Sequence, residues 1–93
     1  MNRLFKRPKE STIQKKIIQY LETKGWYVIK LIQTNKNGIA DLCILKDSVA
    51  VFIEVKKPGL RPSLLQAFRA QQLAQKGFTT LIVHDIKEIK HLC

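Results

Sequence analysis

Between Ile39 and Lys57 the chain carries two apolar runs joined by a short polar stretch, with charged residues where a strand would set them side by side. Ile39-Ala40-Asp41-Leu42-Cys43-Ile44-Leu45, the three-residue turn Lys46-Asp47-Ser48 and Val49-Ala50-Val51-Phe52-Ile53-Glu54-Val55-Lys56 spell a β-hairpin. Alternation along the second run puts Glu54 and Lys56 on the side of Ala50 and Phe52, and Val51, Ile53 and Val55 on the other. Hairpin partners run in opposite directions, so Asp41, early in the first strand, stands opposite Glu54, late in the second. An unpaired carboxylate in such apolar surroundings costs several kcal/mol, and Glu54 therefore needs a cation, either Lys56 or a bound metal. Two carboxylates with strand-edge carbonyl oxygens make a hard oxygen set, suited to magnesium or manganese better than to zinc. Read blandly, the same residues are an ion pair at a strand end and a turn aspartate, and a Glu-x-Lys triplet alone is a weak signal. Asp41, following a glycine on the partner strand amid apolar neighbours, is what sets this triplet apart.

Asp41 together with Glu54-Val55-Lys56 resembles the bipartite motif of the PD-(D/E)XK nuclease superfamily. Gly38-Ile39-Ala40-Asp41 is similar to the Gly-x-Pro-Asp form of its VRR-NUC (virus-type replication-repair nuclease) branch, with Ala40 where that branch usually has proline. The resemblance spans about residues 10 to 84. It implies an α/β restriction-endonuclease-like core, a mixed sheet of about four strands flanked by helices in the order αβββαβ plus a short C-terminal helix.

The residues before and after the hairpin fit that order. A helix is expected from near Pro8 to Gly25, with Ile13, Ile17, Tyr20 and Leu21 on one stripe. Glu10 lies in the middle of the same stripe, where it can serve the helix dipole or reach a metal. The resemblance assigns a first-helix glutamate to the active site, and Glu10 matches it. Trp26 to Thr34 reads as a strand, with Trp26, Val28 and Lys30 on one side, and Asn35-Lys36-Asn37-Gly38 as a turn. Lys36 and Asn37 are candidate phosphate contacts there, although a plain turn explains them equally well. Ser63 is an N-cap for a helix running to Lys76 and closed by Gly77, with Ala67, Ala70, Leu73 and Ala74 as a packing face. Gln66 at the edge of that face reads as a core hydrogen-bonding group or as a site residue. The family's Ser-Pro-x-Gln helix start resembles Ser63-Leu64-Leu65-Gln66, Leu64 replacing the proline, and favours the second. Phe78 to His84 is a last strand, and Asp85 caps a short terminal helix. His84 and His91 have no partner at a convincing spacing and read as structural or solvated.

Ninety-three residues make one small domain, here residues 10–93 behind a basic arm at residues 1–9 carrying Arg3, Lys6, Arg7 and Lys9. The formal net charge of +10, from 17 basic and 7 acidic residues, is an electrostatic footprint for a polyanion. No run approaches a membrane span, and the N-terminus lacks the apolar region of a signal peptide, so a cytoplasmic location is expected, by resemblance in a bacterial or phage-infected host cell. Cys43 and Cys93 match no metal or disulfide spacing, and Cys43 reads as a small core residue.

These readings converge on a metal-dependent, structure-selective DNA endonuclease. Asp41, Glu54, the Val55 carbonyl and Glu10 would hold Mg²⁺, with Mn²⁺ as a substitute. Lys56 would orient water or stabilise developing charge, and Gln66 would position water or substrate. Lys36, Asn37, Lys57, Arg61 and Arg69 are the expected nucleic-acid contacts. The resemblance implies branched DNA such as Holliday junctions, cut by a homodimer whose interface would draw on Ile86 to Cys93 or the first helix. The alternative is a basic nucleic-acid-binding module of the same fold that does not cleave.

Overall fold

The structure is a computed structural model that describes residues 9–92; the helix start expected near Pro8, most of the basic arm and Cys93 lie outside them. The elements are helix α1 (Glu10–Thr23), strands β1 (Tyr27–Lys30), β2 (Leu42–Lys46) and β3 (Val49–Val55), helix α2 (Leu64–Gln75), strand β4 (Thr79–Val83) and a 3₁₀ turn, Ile86–Ile89. They build one mixed sheet in the order β1-β2-β3-β4. The first three strands form an antiparallel meander. β4 lies parallel to β3, because α2 carries the chain back before β4 begins. This is the α/β order expected from the sequence.

The two sheet faces differ in kind. Ile13, Ile17 and Leu21 of α1 pack with Trp26, Leu42, Ile44, Ile53, Val55, Val83 and Ile89 in a single buried cluster. Each fully buried aliphatic side chain there contributes about 1.5–3 kcal/mol of transfer free energy. On the opposite face, where alternation places Tyr27, Ile29, Cys43, Phe52 and Glu54, the buried side chain is Glu54. α2 packs against β4 on this side without burying any of its own residues. Cys43 is accordingly half-buried instead of a core residue.

Several boundaries differ from the sequence reading, each for a local reason. α1 begins at Glu10, with Lys9 as an N-cap that offers no side-chain bond. β1 ends at Lys30 instead of Thr34, since its partner β2 starts only at Leu42 and pairs Lys30 with Leu42. The hairpin turn contains two residues, Asp47 and Ser48, because Lys46 still pairs with Val49; both adopt positive φ, 50° and 65°. In α2, Ala67 and Ala74 face solvent, and the half-buried stripe is Gln66, Arg69, Ala70, Gln72 and Leu73. Ile13, Ile17, Leu21 and Ile89 are buried in the core, while Ile18, Tyr20, Ile86 and Leu92 pack against it only partly buried.

Candidate active site

The site forms where β3 ends. Leu42 pairs with Ile53, and one step further Asp41 falls opposite Glu54. Two bonds fix Asp41 between strands. Its carbonyl accepts from the Leu31 N–H at 2.8 Å, and its Oδ2 accepts from the Val55 N–H at 2.8 Å. The side chain thus takes a bond that a continuing strand would have filled, which ends the β2–β3 ladder. N–H and C=O of one strand residue turn to the same neighbour, so the Val55 carbonyl is aimed to Asp41's side as well.

Glu54 is only 2% exposed. Its Oε2 accepts from Gln66 Nε2 at 2.6 Å. Gln66 Oε1 accepts from the Ser63 N–H at 2.8 Å and from Lys56 Nζ at 3.4 Å. Turning the amide over would set its oxygen against the Glu54 carboxylate, so this orientation follows from the network. Gln66 N–H in turn donates to Ser63 Oγ at 3.1 Å, completing a capping box. One residue therefore starts α2 and spans the gap between Glu54 and Lys56.

The electrostatics are those of carboxylates short of a cation. Burial, then the Asp41 charge, push Glu54 up from 4.5 to about 7; Lys56 opposes this and Glu10 adds to it. Burial raises Asp41 too, against the Val55 N–H bond, with Glu10 raising it further and Lys56 and Lys30 lowering it. Glu10 is thus electrically part of the group. Among the described residues, Asp41 Oδ1 and Glu54 Oε1 accept no hydrogen bond. Those two oxygens and the Val55 carbonyl fit a hard divalent ion. Among the described residues no three His, Cys, Asp or Glu side chains stand close enough together to hold a metal ion by themselves.

The structure brings together Asp41, Glu54, Lys56 and Gln66, with Glu10 in electrostatic reach. The expected nucleic-acid contacts lie on the flanking segments. Lys36 and Asn37 are exposed in the 34–38 turn, and Lys57 and Arg61 follow β3. Arg69 also has a structural role. Its Nε donates to the Asn37 carbonyl at 2.7 Å and its Nη1 to Gln72 at 2.9 Å, so it first braces that turn against α2. One residue was missed. Lys30 reaches Asp41 electrostatically; a charge alternating with Trp26 and Val28 was its signal. His84 follows β4, its Nε2 2.9 Å from the Leu60 carbonyl and its N–H donating to Glu88 at 2.8 Å. It is a strut for the segment carrying Lys57 and Arg61, and nothing in local sequence spacing reveals that contact.

A solved structure described as a VRR_NUC domain superposes on this chain with a TM-score of 0.79 at 27% identity, covering 89% of this chain and 91% of its own. The chain has the VRR-NUC fold. A second solved structure, a VRR_NUC domain protein, superposes with a TM-score of 0.73 at 19% identity over 94% of this chain and 86% of its own. No family model matches the sequence, and no curated protein does. The VRR-NUC likeness therefore rests on three-dimensional form. It makes the α/β core nuclease-like and bears out the VRR-NUC resemblance.

Proposed function

We propose that this protein is a Mg²⁺-dependent endodeoxyribonuclease acting on branched DNA, as a homodimer, in the cytoplasm of a bacterial or phage-infected cell. The observation that carries the catalytic part is Glu54, buried beside Asp41 and pushed up to about 7, with Lys56 and Gln66 bonded into the same network. Such a pair has a deficit of positive charge that a divalent cation would make good. Asp41, Glu54 and the Val55 carbonyl would hold it, and Glu10 would contribute through water. The ion would supply charge to lower the pKa of an attacking water and to neutralise the phosphate. Gln66 holds the Glu54 carboxylate in place. Lys56 presents its ammonium to the negative charge that grows as a P–O bond forms to water and another breaks to the leaving sugar oxygen. Lys36, Asn37, Lys57 and Arg61, with the arm at residues 1–9, would contact phosphates.

Labelled linear duplex, flap and four-way junction DNA, incubated with Mg²⁺ or with EDTA, test the reading. Product is expected only with Mg²⁺ or Mn²⁺, and fastest on the junction. Asp41→Asn and Glu54→Gln should abolish cleavage while binding is kept or improved, because each removes negative charge facing phosphate. Glu10→Ala should lose less and be partly rescued by raised metal. Tight, salt-sensitive binding without any metal-dependent product would leave only a binding module.

A further inference from the structure

α2 turns large apolar side chains of its first turns to water and a mixed stripe to the protein. Its half-buried stripe holds Gln66, Arg69 and Gln72 together with Ala70 and Leu73. Its outer side carries Leu64, 91% exposed, with Leu65 and Phe68, and Leu60 stands exposed just before the helix. Ordinary amphipathic helices turn such side chains to the core. The exposure is concentrated in the first turn and a half of the helix, around Gln66, the residue that holds Glu54.

The position of this patch narrows what can cover it. A Cβ on Gly38, whose φ is +82°, would meet Leu65 Cγ at 2.6 Å, so Leu65 rests on the backbone three residues before Asp41. Leu65 and Gln66 thus put the apolar patch beside both carboxylates. Cations flank it: Arg61 is exposed on the preceding segment, Lys36 on the facing turn, and the Arg69 guanidinium lies 5.7 Å from the Phe68 ring. A second copy docked here would bring like charges together on a chain of net charge +10. A polyanion that also offers an apolar surface complements it. DNA offers one only where its stack is interrupted and a base-pair face is bared.

We propose that Leu64, Leu65 and Phe68 form a wedge that packs against the bared base face at a branch or nick, and so places the adjoining phosphodiester at Asp41 and Glu54. This rests on the nuclease reading above and adds to it the surface that senses the interruption. The wedge requires no base identity, since every base has an apolar face. Selection is then for structure and not for sequence. Leu64 and Phe68 are the residues to change, because neither is bonded into the carboxylate network.

The test reads binding apart from cleavage. Wild type, Leu64→Gln and Leu64→Gln/Phe68→Gln are titrated in EDTA onto a four-way junction with 2-aminopurine at the branch and onto continuous duplex with the same label. Wild type should brighten the branch label and leave the duplex label unchanged. The double variant should lose that signal and about tenfold of its preference for the junction, with duplex affinity and thermal melting kept. Equal brightening by all three proteins overturns the wedge and leaves the nuclease reading intact. Absence of DNA binding by wild type overturns both. Sedimentation showing a wild-type dimer that Leu64→Gln dissociates assigns the patch to a second copy and overturns the proposal.

Discussion

Glu54 lies almost out of water with one oxygen bound by Gln66, and its proton affinity follows from that setting. A rise from 4.5 to about 7 corresponds to roughly 3 kcal/mol favouring the protonated over the ionised form. Between those values the folded chain binds more protons than the unfolded one, so metal-free stability should fall as pH rises through that window and level off above it. Thermal melting in EDTA from pH 4 to 8 should show this decline, and Glu54→Gln should flatten it. Mg²⁺ at pH 8 should raise the wild-type melting temperature and leave Glu54→Gln unmoved. A wild-type curve that is flat across the window removes Glu54 as a cation-seeking group. At this scale the sequence was most legible. Period-two alternation set Glu54 and Lys56 on one side and hairpin pairing set Asp41 opposite, whereas the reach of Lys30 to Asp41 became visible only once β1 was paired with β2.

Elements obey propensity where nothing competes, and two of them invite substitution. The β2–β3 turn holds Asp47 and Ser48 at positive φ, the geometry that two-residue hairpins favour and that glycine fills best. Ser48→Gly should therefore stabilise the protein by about 0.5–1 kcal/mol, read as a higher urea midpoint with cleavage unchanged. A lower midpoint would mean that the serine makes up for its strained backbone. At the start of α2, Ser63→Ala removes the acceptor of the Gln66 N–H and should cost about 1 kcal/mol. Its cleavage loss should be smaller than that of Gln66→Ala, which also releases Glu54 and Lys56. The cap and the helix end were readable because Ser63, Gln66 and Gly77 act through neighbours in sequence. The packing face of α2 was not, since alanine fits a tight contact and open solvent equally well and only the sheet's position decides. β1 was overextended for a similar reason, its length being set by where β2 begins.

At the scale of the whole molecule, the face carrying Glu54 is only partly roofed by α2. Away from the site it leaves Tyr27, at 69% exposure, with Ile29, Leu45 and Phe78 uncovered. Such a patch on a small domain marks an interaction surface. With Ile13, Ile17, Leu21 and Ile89 buried in the core, this larger exposed patch is where the proposed homodimer would meet. A four-way junction relates its two scissile strands by a two-fold axis, and cutting both needs two sites at fixed separation, which one chain with a single Asp41 and Glu54 cannot supply. An isologous pair meeting through this sheet face would leave both wedges and both carboxylate pairs free for DNA. Tyr27→Lys with Leu45→Lys should then yield monomers in sedimentation while the melting temperature changes little, since both side chains are exposed. Mixing wild type with Glu54→Gln in excess should convert paired cuts into single nicks, because each mixed dimer holds one working site. Paired cuts that decline without an accompanying rise in nicks, or a wild-type monomer that still cuts both strands in one encounter, would remove the dimer and leave a nuclease that acts one strand at a time.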